Sequence, residues 1–109
     1  MTDNIILITG HFHHNTLGLI ESLAQKGIKP DVLILDDLAH YYFERSRNIH
    51  CLIKCRTEEK FISTMLDKYS SSAKKTVVIS SSDDVSVILD RHYDELSPYF
   101  ILPLPASRI

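Results

Sequence analysis

Five short apolar runs separated by helix-patterned stretches constrain this chain most: Ile5-Ile6-Leu7-Ile8, Val32-Leu33-Ile34-Leu35, Ile49 to Ile53, Val77-Val78-Ile79 and Phe100-Ile101-Leu102. Each reads as a strand. The first, second and fourth are continuously apolar and rich in β-branched residues, the pattern of strands covered on both faces in a parallel sheet. The third alternates, with Ile49, Cys51 and Ile53 on one face and His50 and Lys54 on the other, which predicts an edge strand with one face toward solvent.

The intervening stretches carry helical periodicity. Residues 16–26 place Leu17, Ile20, Leu23 and Ala24 on one stripe, and Gly27 stops them as a C′ glycine would. Residues 58–70 align Phe61, Ile62, Met65, Leu66 and Tyr69, with Glu58 and Glu59 complementing the helix dipole in the first turn. A third helix has a capping-box-like start at Ser81-Ser82-Asp83-Asp84 and runs through Val85, Ile88, Leu89 and His92 toward Leu96, where Ser97-Pro98 ends it. Residues 37–47 fit either a short helix carrying Leu38, Tyr41 and Tyr42 or a loop. The order βαβαβαβαβ predicts an α/β fold, a Rossmann-like three-layer domain with a mainly parallel sheet. Right-handed crossovers then favour strand order 3-2-1-4-5. At 109 residues, the expectation is one domain over residues 1–109.

Charge narrows the function classes. Residues 1–54 carry 5 Lys/Arg against 6 Asp/Glu, and residues 55–109 carry 7 against 8, so no basic stripe exists to neutralise nucleic-acid phosphates. No apolar run approaches the roughly 20 residues needed to span a bilayer. Met1-Thr2-Asp3-Asn4 lacks the basic region of a signal peptide, so the expected location is the cytoplasm, away from membranes. Cys51 and Cys55, four residues apart with no second pair, form neither a zinc framework nor a disulfide scaffold. Both are expected to be reduced, with Cys51 in the core.

In open α/β sheets ligands bind beyond the carboxyl ends of the strands where the strand order reverses, here between strands one and four. That brings together the loop Gly10-His11-Phe12-His13-His14-Asn15-Thr16 and the loop Ser80 to Asp84, each leading to a helix N-terminus whose free N–H groups favour anions. The expected substrate-binding residues are Gly10, His11, His13, His14, Asn15, Thr16, Ser81, Ser82 and Asp83. Gly10 and Gly18 are the only glycines nearby, so neither G-x-G-x-x-G nor a P-loop is present, and Asp36 and Asp37 read as a solvated turn. Three loop histidines with no carboxylate or thiolate to complete the set do not define a metal site. His92 falls on an apolar stripe and is expected to be hydrogen-bonded and partly buried, whereas His40 and His50 carry no signal. No Ser-His-Asp triad can be assembled, and the cysteines read as structural.

The succession Thr9-Gly10, Leu17-Gly18-Leu19-Ile20-Glu21-Ser22-Leu23 with Lys26-Gly27-Ile28, Ser46-Arg47, Ser80-Ser81-Ser82-Asp83-Asp84-Val85 and Leu96-Ser97-Pro98-Tyr99-Phe100-Ile101-Leu102-Pro103 resembles the N-terminal pre-ATP-grasp domain of ATP-grasp ligases. The likeness covers nearly the whole chain and is closest to carboxylate–amine ligases of the D-aspartate ligase and carbamoyl-phosphate synthase-like type. It implies an enzyme that uses ATP and magnesium to phosphorylate a carboxylate, after which an amine attacks the acyl phosphate. It also implies that later domains of the same polypeptide hold ATP and metal, while this domain closes one side of the cleft and touches a small carboxylate or amino-acid substrate. Gly10 and its loop, with Ser81, Ser82 and Asp83, would face that cleft. The His-rich first loop and Glu21, where many relatives have arginine, depart from the pattern. Pro105-Ala106-Ser107-Arg108-Ile109 falls about where the next domain would begin, so this chain is not expected to ligate by itself. The competing class is a stand-alone Rossmann-like module for a small anion or nucleotide. A receiver-type domain is disfavoured, because no acidic pair follows the first strand. Phe12, Tyr41 and Tyr42 are candidates for an interface with a neighbouring domain.

Overall fold

The computed structural model describes residues 5–11, 14–36, 43, 45–71 and 74–102. Strands β1 (Ile6–Gly10), β2 (Asp31–Leu35), β3 (Cys51–Cys55), β4 (Thr76–Ser80) and β5 (Phe100–Ile101) form one sheet. Its order is β3-β2-β1-β4-β5 and every neighbouring pair is parallel, as expected. The helices are α1 (His14–Ala24), α2 (Glu58–Tyr69), α3 (Asp83–Arg91) and α4 (Tyr93–Leu96). The choice between helix and loop over 37–47, and the roles expected of Phe12, His13, Tyr41, Tyr42 and residues 103–109, fall largely outside the described residues. Phe43 is within them, and it is helical and buried.

Side-chain alternation along the strands splits the core in two. On one face Ile8, Val32 and Ile34 meet Ile20 of α1 and Phe43. On the other, Leu7, Leu33 and Val78 meet Phe61 and Met65 of α2, Val85, Ile88 and Leu89 of α3, Leu96 and Phe100. Two crossovers on each side produce the three layers, and burial of these side chains is the main force holding them together.

Local chemistry fixes the helix ends. Thr57 is the N-cap of α2, its hydroxyl accepting from the Lys60 amide at 3.1 Å, and Ser82 caps α3 by accepting from Val85 at 3.3 Å. Val85 occupies the position where a capping box needs Glu or Gln, so α3 has a simple serine cap. Gly27 takes φ 75°, and the bonds Gly27 N–H to Ala24 O and Ile28 N–H to Leu23 O close α1 around it.

Four details differ from the sequence expectation. Cys51 is only half-buried and Cys55 is the core cysteine, because α2 covers the far end of β3, where Cys55 Sγ meets Thr64 Oγ1 at 3.6 Å. Ile49 does not share a face with Ile53: pairing starts at Cys51, and Ile49 packs with Leu52 against the α1 side. Strand β4 is covered fully on one face only. Thr76 and Val78 are buried, whereas Val77 and Ile79 are half-buried, because α2, α3 and α4 all pack on the opposite face. The last helix also breaks in two at His92 (φ −107°, ψ 19°), which ends α3 and begins α4.

At the amino end of β2 the sheet buries a charged group. Asp31 is 4% exposed and its carboxylate accepts from the Tyr69 hydroxyl at 2.6 Å and from His50 Nδ1 at 2.7 Å. Burial, and next the Asp31 carboxylate, push the Tyr69 hydroxyl far above the usual tyrosine range.

Candidate functional site

The loops after β1 and β4 meet at the carboxyl end of the sheet, and backbone pairing brings them together. The Ser81 amide donates to Thr9 O at 2.8 Å, one residue past the last β1–β4 pair, so the two chains leave the sheet side by side. Thr16 Oγ1 reaches His11 O at 2.8 Å and Ser81 Oγ at 2.6 Å, and Ser81 Oγ reaches Thr9 O at 3.1 Å. Each hydroxyl has one proton to give, and all are engaged within the protein. Gly10 fits because it lacks a side chain: a Cβ there would overlap Ser81 Oγ and lie 3.3 Å from Thr16 Oγ1.

Above this layer opens a cleft of about 550 Å³ lined by Asn15, Gly18, Leu19 and Ser22 of α1 and by Ser80, Ser81, Ser82, Asp83 and Ser86. A smaller recess of about 340 Å³ shares Asn15, Ser81, Ser82 and Asp83 and adds His11 and Asp84. His11 is held by its Nδ1, which donates to Leu35 O at 3.1 Å. Its Nε2 is inaccessible, has no hydrogen-bond partner among the described residues, and lies 3.7 Å from Asp84 Oδ2. The serines form a chain: Ser86 Oγ donates to Ser80 Oγ at 2.8 Å, and Ser80 Oγ also contacts Ser82 O at 2.9 Å. Two helix N-termini therefore open on one cleft, with Asp83 and Asp84 exposed at its rim.

Of the residues expected from sequence, His11, Asn15, Ser81, Ser82 and Asp83 line this space together. Gly10 and Thr16 are buried beneath it, with the Thr16 hydroxyl turned to Ser81. His14 is the first residue of α1, and His13 lies outside the described residues. Sequence reasoning missed Gly18, Leu19, Ser22 and Ser86, and placed Ser80 in the second loop without naming it as a substrate-binding residue. A signal was present, since Asn15, Gly18 and Ser22 recur at helical spacing and are small or polar residues beside the apolar stripe.

Gly18 has nothing within 4 Å of where a Cβ would stand. Packing does not require it, and glycine inside a helix costs stability. Gly18→Ala is expected to stabilise the fold by about 0.5–1 kcal/mol, measured by urea unfolding, while narrowing the cleft.

Among the described residues, the floor of this cleft does not fit ATP phosphates or magnesium. The space next to Gly10 is filled by Ser81, leaving no room for a phosphate against the backbone, and the described residues contain no group of three or more His, Cys, Asp or Glu that could hold a metal ion. None of the described helices is long and apolar enough to cross a membrane.

No family model matches the chain, and no solved structure matches it. Over 72 residues it is 32% identical to the D-aspartate ligase of Enterococcus faecium (strain Aus0004), a stretch covering 62% of this chain. That stretch is 17% of the relative's length. The identity supports a partial relation to an ATP-grasp ligase.

Proposed function

We propose that this chain is the substrate-side N-terminal domain of an ATP-dependent carboxylate–amine ligase of the ATP-grasp type, and that it binds and orients a small carboxylate or amino acid. The observation that carries this reading is the cleft at the strand-order switch, where α1 and α3 both begin. The partial identity to D-aspartate ligase supports it. First-turn N–H groups of α1 have no partner within the helix and suit a carboxylate. The exposed Asp83 and Asp84 carboxylates suit an ammonium on the same ligand, which favours a zwitterion over a simple anion. In such ligases ATP activates the acid as an acyl phosphate for attack by an amine. The missing ATP-grasp domains of the same polypeptide supply that step, and this chain supplies position.

Calorimetry and NMR on the 109-residue chain test the reading. No ATP binding is expected at sub-millimolar concentration, whereas amino acids are expected to shift amides of Asn15–Ser22 and Ser80–Ser86. Tight ATP binding, or amino acids that leave both segments unmoved, would sink it. Shifts with phosphate or nucleotides alone would point instead to the stand-alone module.

A further inference from the structure

Away from the cleft, one imidazole joins separate helices. His92 sits where α3 ends and α4 begins, with its side chain 25% exposed. Its Nδ1 lies 2.6 Å from Glu95 Oε1 on α4, and its Nε2 lies 2.9 Å from Glu58 Oε2 at the start of α2. Arg91, the last residue of α3, donates Nη1 to the other oxygen of Glu58, Oε1, at 2.8 Å. Glu59 lines the same shallow pocket as Glu58, His92 and Glu95, over Ile62 and Leu66.

A neutral imidazole has one N–H and one lone pair, so it can donate to only one of two carboxylates. The other nitrogen would then face a carboxylate oxygen lone pair to lone pair at under 3 Å. The geometry with both nitrogens engaged therefore belongs to the imidazolium. The carbonyl end of α3 adds to the preference for positive charge at this position.

We propose that His92 is a protonation-dependent clamp: as imidazolium it ties α4 to α2, and on losing its proton it keeps Glu95 and releases Glu58. Glu58 is the side let go because Arg91 still satisfies it, whereas the Glu95 contact is local and shorter. Nothing leaves the site but the Nε2 proton, which passes to solvent. The hydrogen bond that His92 donates to Glu95 does most to hold it above the ordinary histidine value; burial opposes this, and the bond donated to Glu58 adds to the rise. The hydrogen bond accepted from His92 is the main cause that holds Glu58 below the usual carboxylate range; desolvation opposes it, and the Arg91 charge adds to the lowering. The signs are then set. The clamp is closed below the ordinary histidine range, opens as pH rises through the raised value, and survives mild acid because Glu58 stays ionised.

The test is an NMR titration of the 109-residue chain from about pH 5.5 to about pH 8.5, with amide hydrogen exchange corrected for intrinsic pH dependence. The readout amides are Leu96, which donates to His92 O at 3.1 Å, and Ser97, which donates to Tyr93 O at 2.8 Å. Expected are a His92 midpoint above the ordinary value and a several-fold fall in protection of both amides on crossing it. Glu58→Gln, which leaves the His92–Glu95 contact in place, is expected to lower the midpoint and flatten the protection profile; His92→Gln is expected to flatten it as well. A His92 midpoint at or below the ordinary value, protection that ignores pH, or the same pH profile in E58Q would overturn the clamp. If H92Q fails to fold, E58Q decides alone.

Discussion

Replacing Asp31 with alanine is expected to cost about 3 kcal/mol, one of the two largest effects of any single change proposed for this chain. Asp31 is 4% exposed and Tyr69 2% exposed, so removing the carboxylate strands the Tyr69 hydroxyl in the core and opens a small void. Nothing nearby among the described residues replaces the 2.6 Å acceptor. Asp31→Asn is expected to cost less, about 1–2 kcal/mol, because the amide oxygen still accepts from Tyr69 and His50 can present its lone pair to the amide NH₂. Tyr69→Phe leaves the carboxylate with His50 alone and is expected to cost about 1–2 kcal/mol. The double change Asp31→Val with Tyr69→Phe removes both polar partners, and its cost is expected to be no greater than that of Asp31→Ala. Urea unfolding of the four variants measures all of this. A double change that costs as much as Asp31→Ala and Tyr69→Phe together would contradict a shared buried hydrogen bond.

Gly10→Ala is expected to cost about 2–3 kcal/mol through crowding, since Gly10 has no positive φ and no conformational reason to be glycine. The added methyl would overlap Ser81 Oγ, and Ser81 Cβ is 3.2 Å away. Ser81 would have to turn, breaking its contacts to Thr16 Oγ1 and Thr9 O, each worth about 1 kcal/mol. Ser81→Ala alone is expected to cost about 1 kcal/mol. In the double variant the overlap is gone and the contacts left are those to the Cβ of residue 81 at 3.2 Å and to Thr16 Oγ1 at 3.3 Å, so the two changes should couple by at least about 1 kcal/mol. Equal costs for Gly10→Ala with and without Ser81 would remove the steric explanation. The same variants link fold to function, because Gly10, Thr16 and Ser81 support the floor on which the cleft rests.

Much of this architecture is legible in the residues. Continuously apolar runs rich in β-branched residues at positions 5–8 and 32–35 mark strands buried on both sides, and β1 and β2 are buried so. The alternation around Cys51 marks an edge, and β3 is an edge strand. Chirality of crossovers then leaves few orders for five parallel strands, which is why 3-2-1-4-5 could be stated in advance. The loops of the cleft follow from that order, since the switch point is a property of topology and not of any one residue.

What the linear pattern could not contain is which side chain fills which space. Cys51 and Cys55 have the same chemistry and the same strand parity, and only the path of α2 buries the second. His50 carries no signal in sequence, yet it reaches a buried carboxylate 19 residues away. His92 is legible as a partly buried histidine, but Glu58 stands 34 residues before it, and no periodicity relates them. The sequence by itself determined the elements, their order in the sheet and the place where the cleft opens, because hydrophobic period and crossover handedness act locally. The tertiary structure alone decided that Ser81 takes the space beside Gly10, that Asp31 is hydrogen-bonded by Tyr69 and His50, and that one imidazole bridges two helices, because these depend on distances between residues far apart in the chain.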